Sequence, residues 1–217
     1  LYFEALPDLA AIRDHTSGRR HGLYRRLALG WRGSTRQWRV IQRGLILLGA
    51  FYLIAFVIAH TLVSIDFAVS LVPGWRSAIL PAYHIVTGLE GAVAVTLVAL
   101  GLLRWVGGLD EYLRLDQFWN LGKILLALVL FWFYFWWSDF MTFWYGRTPR
   151  EQAMLSLLMF GPYFVPFVLA FLLAFFLPFV LLIWNRIRVS ILGPTLISIL
   201  ILVGLYFDRV RLYVSAF

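Results

Sequence analysis

The apolar residues of this chain are gathered into five runs of about 20, at roughly 44–64, 83–105, 118–140, 162–184 and 189–207. A helix rising 1.5 Å per residue needs about that length to cross a hydrocarbon core of ~30 Å, and inside lipid each backbone N–H and C=O must be satisfied within its own segment. The pattern predicts an all-α membrane protein, a polytopic bundle of about five transmembrane helices. Composition agrees, with 62% of the 217 residues hydrophobic, 14% charged and a mean hydropathy of +0.82. Soluble domains are roughly half apolar and one quarter charged.

The connections carry the polar residues. Residues 1–43 read as the end of a preceding helix, its last turn at Leu1 to Ala5, followed by a basic loop or interfacial helix; residues 44–217 read as the membrane bundle. The opening Leu1-Tyr2-Phe3, without a methionine, suggests that the sequence is a piece of a longer protein. Successive helices alternate direction, so the connections sort to two sides. Fourteen of the 19 Lys and Arg fall on one side, nine of them arginines between Arg13 and Arg43; the other holds Arg76, Arg147, Arg150, Arg209 and Arg211. The positive-inside rule makes the first side cytoplasmic, and the charge of +8 becomes a topology signal, not a nucleic-acid footprint. Pro73 and Gly74 mark a turn after the first helix. The aromatic residues of the third run, Trp132, Tyr134, Trp136, Trp137, Trp144 and Tyr145, read as an interfacial belt. Pro162, Pro166, Pro178 and Pro194 are expected to bend the last two helices.

The absence of cysteine excludes disulfides, iron–sulfur clusters and thiolate-ligated metals in this chain. Ionisable side chains within a span are costly and mark function by default. His60 and Asp66 on the first helix, His84 and Glu90 on the second and Asp139 on the third all fall at one depth, in the outer leaflet. Paired histidines and carboxylates at that depth suit the oxidation of a hydroquinone, which sheds two protons with its two electrons. Histidine accepts the hydroxyl hydrogen bond and a carboxylate carries the proton onward. Two histidines on neighbouring helices also suit the axial ligation of a b-type haem, and either can serve only as an interhelical hydrogen-bonding group.

Several stretches together resemble the polysulfide reductase NrfD family, most of all the menaquinol-oxidising membrane subunits of alternative complex III. They are Leu6-Pro7-Asp8-Leu9-Ala10, Leu29-Gly30-Trp31-Arg32-Gly33-Ser34, the run from His60 through Asp66 to Ser70 with Val72-Pro73-Gly74-Trp75, Trp137-Ser138-Asp139, and Trp144-Tyr145-Gly146. The resemblance covers essentially the whole chain. It implies part of a two-bundle fold and a multi-pass subunit of the bacterial inner membrane that takes menaquinol as substrate. It implies no metal or haem in the subunit itself. It also implies an iron–sulfur subunit and multihaem cytochrome c subunits on the outer face, and an NrfD-like paralogue beside it. His60 and Asp66 then belong to the quinol pocket and its proton exit. The chain departs from the family at Arg76, where histidine is usual, and at Tyr83-His84, where Tyr-Phe is usual, so one histidine is lost and another gained. Arg76, Tyr83, His84, Glu90 and Asp139 remain further candidates for the pocket or proton path. Alternatives are a non-catalytic anchor for peripheral redox subunits and a b-haem cytochrome.

Overall fold

The computed structural model describes residues 2–72 and 75–216, and the side chain of Ala216 lies outside that description. Leu1 of the opening stub and the Pro73-Gly74 turn also fall outside it. The described residues contain helices and turns and no strand, and four of the helices are long and apolar enough to cross a membrane. The chain divides into two units, Leu1–Phe56 and Val57–Phe217, with the boundary inside one long helix.

In the first unit, residues 2–5 form a turn and not the end of a helix. Pro7, with its fixed φ and no N–H to satisfy, instead starts a new helix, α1 (Leu6–His15). After Gly18 in the left-handed region at φ +70° comes α2 (Arg19–Leu27). Leu6, Ala10, Ala28 and Trp31 form a small core, tied by Tyr2 donating to the Leu27 carbonyl at 2.6 Å and Arg13 to that of Trp31 at 3.1 Å.

The first long helix, α3 (Thr35–Phe67), begins well before the apolar run expected at 44–64. A reciprocal cap explains the start. Ser34 Oγ accepts from Gln37 N–H at 3.3 Å, and Gln37 Oε1 accepts from the Ser34 and Arg32 N–H groups. None of the most apolar window of α3 is buried within the protein.

The second unit is a bundle of α4 (Leu80–Gly107), α5 (Leu115–Gly146), α7 (Phe164–Ala170) continuing into α8 (Leu177–Ile183), and α10 (Leu192–Tyr213). The short α6 (Pro149–Leu155) and α9 (Asn185–Arg188) lie between them. Helix α4 packs between α5 and α10, while α10 and α5 both meet the α7–α8 segment. The buried positions of α4 include Tyr83, Thr87, Glu90, Ala94, Leu97 and Gly101, one stripe at helical spacing. The buried stripe of α10 runs from Pro194 through Ile197, Ile201, Gly204 and Asp208 to Arg211.

Between α7 and α8, residues Phe171–Phe176 form a widened π turn in which Leu177 N–H reaches back five residues to the Leu172 carbonyl. It immediately precedes Pro178, whose ring cannot donate to the regular ladder, so the expected proline bend takes this form. Pro166 and Pro194 sit in first turns, where no N–H is required. Ser198 Oγ additionally satisfies the Pro194 carbonyl at 2.7 Å.

The aromatic run of α5 splits in two. Trp132 is fully buried and stacks on Trp136 and Phe175 at ring separations of 6.2 and 6.1 Å, and Phe133 stacks on Phe175 at 4.4 Å. Trp144 and Tyr145 at the helix end are exposed, as a belt requires. Of the inner rings, Trp132 is core and Trp136 half-buried, while Tyr134 and Trp137 are exposed.

Gly204 touches the widened turn so closely that a Cβ there would meet the backbone of Ala174 and lie 2.7 Å from the carbonyl carbon of Leu173. Backbone cannot rotate away as a side chain can. Gly204→Ala is therefore expected to destabilise by about 1–3 kcal/mol, seen as a fall of several degrees in thermal unfolding in detergent, whereas Gly49→Ala, whose Cβ meets open space within α3, does not lower the midpoint.

Candidate functional site

One end of the second unit brings together the end of α3, the start of α4, the end of α5 and the end of α10. The side-chain contacts of His60 with His84, Ser77 with Asp139, and Tyr213 with His84 fix this arrangement. It carries two linked features, an open groove and a buried ionic cluster.

The groove, about 340 Å³, is lined by His60, His84, Thr87, Gly88, Gly91 and Arg209, with Val95, Leu202, Leu205 and Tyr206 completing its apolar wall. Its volume lies in the ordinary range of ligand clefts. The rings of His60 and His84 are 5.1 Å apart and inclined at 47°. Tyr213 Oη lies 2.6 Å from His84 Nε2, which leaves that ring only a buried Nδ1 with no hydrogen-bond partner among the described residues. Arg209 donates to Thr87 Oγ1, and Thr87 Oγ1 donates to the His84 carbonyl at 3.0 Å.

Behind the groove lie charges that take no part in an ordinary apolar core. Glu90 and Asp208 are fully buried, and Arg211 is 3% exposed. Arg211 Nη2 donates to Asp208 Oδ1 at 2.6 Å, and its guanidinium also lies over the Phe167 ring, 5.6 Å from the centroid. Glu90 lies within electrostatic reach of Asp208 and Arg209. Both Glu90 oxygens, Asp208 Oδ2, Tyr83 Oη, Arg209 Nη1 and Arg211 Nε have no hydrogen-bond partner among the described residues. Such concentrations of buried, incompletely paired groups are where proteins hold water, protons or ligand.

The cluster leads to a narrow cavity lined by Tyr83, Arg211, Asp139, Trp75 and Trp136 among others. Its interior, about 20 Å³, has room for a single water and not for a ring. Asp139 Oδ1 accepts from Ser77 Oγ at 2.6 Å, and Ser77 Oγ in turn accepts from Leu80 N–H at the start of α4.

The sequence candidates therefore separate. His60 and His84 meet in the groove, Glu90 stands behind it, and Tyr83 and Asp139 share the cavity. Asp66 is exposed on the last turn of α3, six positions or ~9 Å along the helix from His60. Arg76 is exposed in the segment before α4. Neither lines the groove or the cavity.

Arg209 and Arg211 require correction. Sequence reading ends the last helix at 207 and leaves both in an outward connection; α10 continues to Tyr213, and Arg211 is buried. The reason is the partner three residues earlier, because Asp208 lets the bundle accept the cation. The signal was present in Asp208-x-x-Arg211, which continues the buried stripe Ile197, Ile201, Gly204, Leu205. Tyr213, also beyond the expected end, was missed for the same reason.

Removing one member of such a pair leaves the other buried and uncompensated. Arg211→Leu is expected to cost about 3–5 kcal/mol, while Asp208→Leu/Arg211→Leu together recover most of that loss in thermal unfolding. Equal destabilisation by the single and double variants would remove the ion pair from its structural role. No protein-family model matches this chain, and no curated protein matches its sequence.

Proposed function

We propose that this chain is the quinol-binding membrane subunit of an electron-transfer complex and oxidises menaquinol at the groove between His60 and His84. The observation that carries the reading is the meeting of two histidines from separate helices in an open groove, backed directly by buried carboxylates.

The chemistry follows from what a quinol must lose. Oxidation to the quinone releases two electrons and two protons. The His60 imidazole in the groove accepts a hydrogen bond from a quinol hydroxyl and takes its proton. Tyr213 holds the His84 ring through Nε2, and Arg209 with Thr87 adds polar groups to the wall. Glu90 and Asp208 offer an inward route for the proton, continued by Tyr83, Arg211 and Asp139. Asp66, exposed beyond His60, offers an outward one. The electrons leave to an acceptor outside the chain. In the complex implied by the family resemblance this is an iron–sulfur subunit on the outer face of the bacterial inner membrane, with multihaem cytochrome c subunits beyond it and an NrfD-like paralogue alongside.

The haem reading fits the geometry poorly. Axial ligation needs an imidazole nitrogen of each histidine turned to a shared iron, and His84 has one nitrogen engaged by Tyr213 and the other enclosed by protein. The anchor reading predicts that the groove residues are dispensable.

Substitution in the purified complex separates these. His60→Ala is expected to lower quinol oxidation at least tenfold while the subunit stays assembled, in line with the ~10²–10⁴ that a positioned acid or base contributes, and His84→Ala, whose ring nitrogens are engaged by Tyr213 and enclosed by protein, to lower it less. Asp66→Asn is expected to lower the rate less, since Asp66 stands outside the groove. Wild-type turnover in both histidine variants supports the anchor reading in place of this one; loss of a b-type absorbance band in either variant supports the haem.

A further inference from the structure

We infer that Arg209 is a shared cation, held by turns by a ligand oxygen in the groove and by the buried carboxylate of Glu90, so that one proton enters Glu90 with each ligand bound. It rests on the quinol reading for the nature of the ligand and adds a step that precedes any movement of electrons.

Arg209 belongs to both sides of the groove wall. It is half-buried and lines the groove beside His60 and His84. Its Nη2 donates to Thr87 Oγ1, a neutral partner whose own hydrogen goes to the His84 carbonyl. Its Nη1 is buried and has no hydrogen-bond partner among the described residues. Glu90 stands three positions beyond Thr87 on the same buried stripe of α4, ~4.5 Å deeper. It is fully buried, within electrostatic reach of Arg209, and neither of its oxygens is hydrogen-bonded among the described residues.

Charge pairing leaves these two for each other. Two carboxylates, Glu90 and Asp208, meet two guanidiniums, Arg209 and Arg211, and Asp208 is taken by Arg211 at 2.6 Å. An enclosed carboxylate with no hydrogen bond stands only when a proton neutralises it, whereas a guanidinium turned inward lets it stand ionised. With Arg209 on Thr87, Glu90 therefore carries a proton. A ring carbonyl in the groove is an acceptor that favours this outward arrangement, and a ligand shifts the population toward the state it binds. When Nη1 turns inward, the proton leaves Glu90 toward Tyr83 Oη and the water-sized cavity beyond.

Few other groups surround Glu90. Helix α10 presents the Asp208–Arg211 pair, α4 itself carries Tyr83 and the His84 held by Tyr213, and α3 brings His60 to the groove. Helix α5 buries Leu125, Val129 and Trp132 and contributes Asp139 to the cavity, bonded to Ser77. The α7–α8 segment has no ionisable side chain between Phe164 and Ile183.

The test is proton uptake by the oxidised complex in detergent, where menadione binds without turnover and a pH indicator in weak buffer counts protons taken per menadione bound. Wild type is expected to take up about one proton more than Glu90→Gln, whose amide replaces the protonated carboxyl. The bound state holds the extra proton, so wild-type affinity falls by up to about tenfold per pH unit once Glu90 ionises, and Glu90→Gln loses that dependence. Infrared difference spectra read the same carboxyl independently of affinity. Menadione should raise a protonated-carboxyl band that Glu90→Gln lacks and that Arg209→Leu, with no cation to exchange, shows at full strength before ligand is added. Equal uptake by wild type and Glu90→Gln overturns the exchange, as does a band in ligand-free Arg209→Leu no stronger than in ligand-free wild type. If menadione binds and His60→Ala weakens it, either result leaves the quinol reading standing; no menadione binding by the wild type removes both.

Discussion

The second unit must accommodate the burial of three charged side chains, Glu90, Asp208 and Arg211, among helices whose buried residues are mostly apolar. Ions in such surroundings are tolerated only when paired, hydrogen-bonded or neutralised by a proton. The Asp208–Arg211 contact meets part of that demand within one turn of α10. The remainder falls on α4, whose Tyr83, Thr87 and Glu90 face the same space. The helices themselves associate through close packing and interhelical polar contacts, since lipid offers no hydrophobic advantage to helix association.

Open groove and closed cavity divide the work. The groove accepts something the size of a ring; the cavity behind it accepts only water. Arg209 and Arg211 stand two residues apart on α10 and so project to different sides, one toward the groove and one into the interior. Under the proposed quinol reading, a proton carrier and a proton path sit side by side without the larger molecule entering the bundle.

Much of this was legible in the residues. Apolar runs near 20 residues locate the four helices long and apolar enough to cross a membrane, because backbone satisfaction in lipid permits little else. The common depth of His60, His84, Glu90 and Asp139 also follows from helix direction alone. The ends were less legible because hydropathy reports where lipid starts and not where hydrogen bonding stops. Ser34 and Gln37 extend α3 by a polar cap that a hydropathy window reads as loop. Asp208 and Arg211 lower the apolarity of a turn that is nonetheless buried. Which aromatic rings of α5 face inward could be read only from the α7–α8 segment that stacks on them. The exposure of Asp66 emerges only from the packing of the others.

Gly204 gives the ionic cluster its position. Its bare backbone rests on the widened turn before Pro178, and Asp208 follows one helical turn later, about 6 Å along the axis. The depth of the Asp208–Arg211 pair is thus gauged by a steric stop and not by the attraction between charges. A proline on one helix, through the irregular turn it demands, acts as the reference mark against which the electrostatics of another are set.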